Sequence, residues 1–152
     1  MFMMKHGWQI ALLDHTRVGE IVALEREIFS LPWGFREYSA FFCQNTALGL
    51  GVVKKHGLAG FVTSFNMPGE LEILNLAVKS EFRRQKMASS LLEALLARFR
   101  KARGGGSVFL DVRESNQPAI ALYLSFGFEK VGMRENYYLD KNEDAWIMRL
   151  DL

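Results

Sequence analysis

The period of the hydrophobic positions changes several times along the chain, and each change marks an element. Trp8 to Leu13 is a short apolar run that reads as a strand, with Asp14 or Thr16 placed to cap a following helix. In that helix Ile21, Leu24 and Ile28 recur at helical spacing, with Val22 and Phe29 beside them, so one face is buried. Leu31-Pro32-Trp33-Gly34 breaks the pattern, and Phe35 to Phe42 begins a second, shorter helix. From Ala47 three strand-like runs follow, ALGLGVVKK, GLAGFVTSF and GELEILNLAV. The turn signals His56-Gly57 and Met67-Pro68-Gly69 separate them and predict an antiparallel meander.

Gln85 to Arg103 carries the clearest helical stripe, with Met87, Leu91, Leu95 and Phe99 on one line and Ala88 and Leu92 beside it. Gly104-Gly105-Gly106 ends it. Ser107 to Val112 is apolar enough for a buried strand, and Asn116 caps a last helix with Pro118 in its first turn. After Phe126-Gly127-Phe128 the runs FEKVGMRENYYL and DAWIMRLDL form a terminal hairpin around Asp140 to Glu143. The predicted order is β-α-α-β-β-β-α-β-α-β-β, an α/β fold with a mixed, mostly antiparallel sheet of about seven strands and four helices. GELEILNLAV and SVFLDV, joined by a helical crossover, should be parallel neighbours.

Composition narrows the class of protein. At 152 residues the chain, 1–152, fits one domain, and 49% hydrophobic with 24% charged residues leaves no stretch polar enough for disorder. A formal charge of +2 is too small to argue for nucleic acid, and none is expected as a partner. Cys43 is alone and His6, His15 and His56 lack metal-ligand spacing, so an intracellular, cytoplasmic protein without a structural metal is expected. The opening MFMMKHGWQIALLD, interrupted by Lys5 and His6, fits neither a signal peptide nor a membrane span. A monomer or weak dimer is expected. The Arg98, Arg100, Lys101 and Arg103 cluster reads first as a solvated last turn complementing the helix dipole, and second as a contact for a ligand phosphate or RNA. Gly49-Leu50-Gly51 reads as glycines in a strand, because no helix follows.

FRRQKMASS, residues 82–90, is the candidate for chemistry. It leaves the C-terminal end of a strand in an open α/β sheet and opens a helix, a geometry that holds phosphate on backbone N–H groups. Such turns usually place glycine where Lys86 stands. A helix N-terminus needs neither positive φ nor an absent Cβ, so Lys86 is expected to have helical φ, pointing away from the anion or flanking it as an added cation.

The chain resembles the GNAT superfamily of acyl-CoA-dependent N-acetyltransferases, and more narrowly the ribosomal-protein-alanine N-acetyltransferases of the RimI type. The resemblance is carried by Leu74-Asn75-Leu76-Ala77-Val78, Arg83-Arg84-Gln85-Lys86-Met87-Ala88, Asp111-Val112-Arg113-Glu114-Ser115-Asn116, Ala119-Ile120-Ala121-Leu122-Tyr123, Phe126-Gly127-Phe128, Arg134-Glu135-Asn136-Tyr137-Tyr138 and Pro32-Trp33, nearly the whole chain. It implies a GNAT fold whose central parallel strand pair is splayed to hold acyl-CoA, acetyl-CoA as the donor, and a protein N-terminal α-amine, of a ribosomal protein, as acceptor. The alternatives are a small-amine or lysine acceptor, or an acyl-CoA-binding module without turnover.

The resemblance also implies site residues. The CoA diphosphate would lie on backbone N–H groups of Arg84, Gln85, Lys86, Met87, Ala88 and Ser89. The strand end Leu76, Ala77 and Val78 would pair with the pantetheine arm and orient the thioester carbonyl, though these three also read as plain sheet core. Tyr123 matches the general acid that protonates the departing sulfur; read without the motif, it is a packing tyrosine with a bonded hydroxyl. Asn116 matches a cofactor contact and is equally an N-cap. Asp111, twelve residues before Tyr123, stands where the family carries a glutamate base, one methylene short, so the proton would travel through a water. Glu72 and Glu114 are the neighbouring carboxylates. Trp33, Tyr137 and Tyr138 would wall the acceptor groove, the plainer reading of the tyrosines being a cross-strand aromatic pair.

Overall fold

A computed structural model describes residues 2, 3 and 7–152 of the chain; Lys5 and His6 of the opening stretch lie outside the described residues. The described strands are β1 (Phe2–Met3), β2 (Gln9–Leu13), β3 (Ala47–Lys54), β4 (Gly57–Met67), β5 (Glu70–Val78), β6 (Ser107–Arg113), β7 (Glu129–Tyr138) and β8 (Glu143–Asp151). They join in one sheet in the order β1-β2-β3-β4-β5-β6-β8-β7. The seven expected strands are present, and the two-residue β1 adds an eighth at one edge. Pairing is antiparallel except between β5 and β6, the pair that the crossover made parallel.

Four helices cover the sheet: α1 (Val18–Ile28), α2 (Phe35–Phe42), α3 (Met87–Arg103) and α4 (Gln117–Ser125). The α3 stripe Met87, Leu91, Leu95 and Phe99 is buried against Val62, Leu71, Ile73 and Val108, and α4 adds Ile120 and Tyr123 to the same cluster. Ile21 and Leu24 of α1 and Tyr38 and Phe41 of α2 bury Leu13, Phe61 and Ala77 on the opposite face. Burying one Leu- or Phe-sized side chain contributes about 1.5–3 kcal/mol, so these two layers are the main driving force for closing the helices onto the sheet. Among the described residues no helix is long and apolar enough to cross a membrane.

Two expected boundaries move. Asp14 caps the short 3-10 turn His15–Arg17, accepting from the Thr16 N–H at 2.8 Å, and α1 begins after that turn. The long helix begins at Met87, not Gln85. Asn116 caps α4 as expected, its side chain accepting from the Ala119 N–H at 3.3 Å. Gly106 is required where α3 returns to the sheet: its φ is +143° and an added Cβ would lie 2.2 Å from the Gly69 carbonyl oxygen.

The feature that opens the sheet lies in β5. β4 pairs Thr63 with Asn75 but Ser64 with Ile73, so β5 carries one extra residue, Leu74, as a bulge. On its other side β5 pairs with β6 only from Glu70↔Ser107 to Ile73↔Leu110. Both strands run on, to Val78 and Arg113, without pairing to each other, so they splay apart. Backbone groups of Leu74 to Val78 that point towards β6 therefore have no strand partner.

Candidate active site

At the end of β5 the chain passes through Ser80–Phe82, Arg83 in an extended conformation, and then the turn into α3. The first helical bond runs from the Ser90 N–H to the Lys86 carbonyl at 2.9 Å, which leaves the N–H groups of Met87, Ala88 and Ser89 ahead of it with no acceptor in the helix. Lys86 does not have the expected helical φ: both Lys86 and Arg84 have φ of +60°. Three residues, two of them left-handed, lie between the extended Arg83 and the first helical residue, Met87. That entry calls for left-handed backbone, which costs a non-glycine residue roughly 1–2 kcal/mol. Alternating left-handed residues are the geometry in which successive peptide N–H groups converge on an anion.

A cleft of 370 Å³ sits on this turn. Val78, Phe82, Met87, Pro118 and Leu122 give it an apolar lining, and Arg83, Arg84 and Lys86 line it with cationic side chains. Of the residues expected here, Val78, Arg84, Lys86, Met87, Ala88 and Ser89 line it. Leu76 and Ala77 pack instead into the cores on the two faces of the sheet, Gln85 is exposed with its amide donating to the Glu81 carbonyl at 3.5 Å, and Asn116 caps α4. Phe82 and Arg83 belong to the candidate turn 82–90, while sequence reasoning missed Pro118 and Leu122 as lining residues. The four-residue spacing of Pro118 and Leu122 on α4 was the available signal.

The second half of the site lies on the splayed ends. Tyr123 is buried, its ring edge-on to Phe128 at 5.6 Å, and burial pushes its phenol far above the usual range, helped by the nearby Tyr138. Tyr138 is pushed up to about 12, first by burial and then by the charge of Asp111. Asp111 accepts from Arg134 Nε through Oδ2 at 3.2 Å. Tyr138 of β7 thus stands between Tyr123 of α4 and Asp111 of β6. Glu72 and Glu114 are exposed.

The elbow that holds Trp33 meets the turn of the hairpin that holds Tyr137 and Tyr138. Ser30, in the elbow between α1 and α2, donates to Asp140 Oδ2 in the β7–β8 turn. Asp140 is also held through both oxygens by Arg113, which bonds Glu143 at 3.3 Å and lies over the Tyr138 ring, 4.0 Å from its centroid. Glu143 in turn accepts from the Ser115 N–H at 2.7 Å. Tyr137 is exposed and edge-on to Tyr138 at 5.1 Å.

Trp33 is held from beneath by a group the sequence did not single out. Glu25 is buried and its carboxylate accepts from the Trp33 N–H at 3.2 Å, from the Tyr38 hydroxyl and from Asn75 Nδ2 at 2.9 Å. Burial raises the Glu25 carboxyl above its ordinary range and the Tyr38 phenol likewise. Among the described residues no group of three or more His, Cys, Asp or Glu is placed to hold a metal ion.

The sequence model described as the Acetyltransferase (GNAT) family matches residues 18–128, which span α1 to the start of β7. The chain belongs to the GNAT family. As a GNAT member it is an N-acetyltransferase and its acyl donor is acetyl-CoA. The [ribosomal protein bS18]-alanine N-acetyltransferase of Escherichia coli (strain K12) is 32% identical over 145 residues, covering 94% of this chain and 97% of that protein. The crystal structure of the ribosomal-protein-S18-alanine N-acetyltransferase from Escherichia coli superposes with a TM-score of 0.88 at 30% identity, over 95% of this chain and 93% of that one. Arabidopsis thaliana NAA60 in complex with acetyl-CoA shares the fold at 17% identity, TM-score 0.86, over 95% and 98% of the chains. The cleft suits this donor: unpaired helix N–H groups and cationic side chains meet a diphosphate, and the apolar wall meets an extended arm.

Proposed function

We propose that this GNAT enzyme transfers the acetyl group to the α-amine of a protein N-terminus, that of a ribosomal protein. The observation that carries the reading is the Ser30–Asp140 contact, which joins the elbow that holds Trp33 to the hairpin that holds Tyr137 and Tyr138. The names of the Escherichia coli relatives support the ribosomal acceptor.

The N–H groups of Met87, Ala88 and Ser89, with the turn Arg84-Gln85-Lys86, would hold the diphosphate, and those backbone groups of Leu76, Ala77 and Val78 that face the opening would hold the pantetheine arm. Asn116 fixes the start of α4, the helix that brings Pro118 and Leu122 to the cleft. When bound, acetyl-CoA supplies an activated acyl carbon at the opening between β5 and β6. Tyr123 retains its proton at neutral pH, because burial disfavours the phenolate, and so has one to give to the departing sulfur. Asp111 has Oδ2 engaged by Arg134, which leaves Oδ1 to take a proton from the acceptor amine through a water. An α-amine, with a pKa of about 8, gives up that proton more readily than a lysine at about 10.4. Trp33, Tyr137 and Tyr138 wall the acceptor path.

Incubation with acetyl-CoA and a panel of N-terminal peptides, lysine peptides and small amines tests the reading. Transfer to free N-termini is expected; transfer confined to lysine or small amines would overturn it, and tight CoA binding without transfer would leave a binding module.

A further inference from the structure

We infer that Asn75 is a further acceptor-binding residue, its amide carbonyl taking a hydrogen bond from the incoming amine opposite Asp111, and that the buried Glu25 is the positioning residue that holds the amide in that orientation. The inference rests on the acetyl-transfer reading above and adds the group that orients the amine.

The bulge at Leu74 is what brings Asn75 into play. Side chains alternate along a strand, so a register shift of one residue moves everything beyond it to the other face. Ile73 belongs to the core under α3, whereas Asn75, two residues on, bonds Glu25 under α1. Asp111 also lies on the α1 side, since its neighbours Leu110 and Val112 are buried on the α3 side. The last paired residues of the splayed strands are Ile73 and Leu110, so Asp111 is the first and Asn75 the second residue past the parting, on one face of the opening.

The orientation of the amide follows from its partners. Asn75 Nδ2 lies 2.9 Å from Glu25 Oε1 and 3.1 Å from the Tyr38 hydroxyl. A carboxylate only accepts, so the nitrogen must face it, and the planar amide puts Oδ1 on the other side. Among the described residues Oδ1 has no hydrogen-bond partner, and Asn75 is half-buried rather than sealed. An acceptor-only atom on the same face of the opening as the Asp111 carboxylate suits an amine, which offers N–H groups to both and keeps its lone pair for the acyl carbon.

The test uses the wild-type chain, Asn75→Ala and Glu25→Gln, each assayed at saturating acetyl-CoA on whichever amine the wild type acetylates best. Asn75→Ala should lower acceptor kcat/KM at least tenfold while the CoA Kd, from calorimetry, stays within twofold. Glu25→Gln offers an Nε2 donor that turns the Asn75 amide around, so it should lower acceptor kcat/KM similarly although it touches no substrate. Acceptor kcat/KM within twofold of wild type for Asn75→Ala, or a parallel loss of CoA affinity, would overturn the inference. If the wild type prefers lysine or a small amine, the N-terminal reading falls and the Asn75 comparison is decided on that amine. Should either variant fail to fold, or the wild type acetylate nothing, the Asn75 side-chain amide resonances of CoA-loaded wild type decide: they should shift on adding an N-terminal peptide, and fixed resonances reject the role.

Discussion

Arg113 holds both carboxylate oxygens of Asp140 at 2.9 Å, although 27 residues separate the two in sequence. This planar grip ties the end of β6 to the hairpin turn, and through Ser30 to the elbow. Both bonds come from Nη2 while Nη1 bonds Glu143, so a lysine has one nitrogen where Arg113 uses two, and it cannot lie flat over the Tyr138 ring. Arg113→Lys should therefore raise the acceptor KM about fivefold to tenfold and leave the CoA Kd unchanged, measured by steady-state kinetics and calorimetry.

The same network sets a pH limit. Hydrogen bonds, from Ser30 and Arg113 to Asp140 and from Ser115 to Glu143, hold both carboxyls below their ordinary range. A carboxyl depressed in the folded state stabilises above its unfolded pKa, about 4, and loses that contribution as pH falls through the lower folded value. The melting-temperature gap between wild type and Arg113→Ala should thus be constant from pH 8 to about pH 5 and close below about pH 4. A gap that closes near neutrality would reject this assignment.

Tyr123→Phe keeps the ring packed on Phe128 and removes only the hydroxyl. General acid catalysis contributes roughly 10²–10⁴-fold, so kcat should fall by about that factor with CoA affinity intact. Because burial raises the phenol, wild-type activity should show no alkaline fall-off from this group below about pH 10, near the ordinary tyrosine value.

Asp111→Asn should lower acceptor kcat/KM about 10–100-fold at pH 7. An N-terminal α-amine with a pKa of about 8 loses its proton to solvent above that pH, so the deficit should shrink by pH 9. A deficit independent of pH would show that Asp111 binds or positions the acceptor and takes no proton.

Lys86→Gly trades two similar quantities. It relieves the left-handed conformation of Lys86, about 1–2 kcal/mol, and adds the unfolded-state freedom of glycine, about 0.5–1 kcal/mol. Stability by denaturant titration should rise by about 0–1.5 kcal/mol. Lys86→Ile, whose branched Cβ tolerates this φ poorly, should destabilise the chain instead.

The resemblance and the local patterns made much of the site readable. The α3 stripe follows from helical spacing, and the cap at Asn116 from one residue and its neighbours. The turn at the end of β5 was placed correctly, yet the φ of Lys86 was not, because its entry angle is set by where β5 and α3 sit. Glu25 was passed over for a related reason. Alone in α1 it reads as one more helical glutamate; its partners lie 8, 13 and 50 residues away.

The element order, the buried stripe of α3 and the cap of α4 were legible because each depends on residues close together in the chain, and the parallel β5–β6 pair because a helical crossover joins the two strands. The bulge at Leu74, the insertion of β8 between β6 and β7, and the meeting of Ser30 with Asp140 and of Glu25 with Asn75 emerge in the folded chain alone. Those depend on register and on distant segments packing together. A one-residue shift that barely alters local preference moves every later side chain to the other face of the sheet.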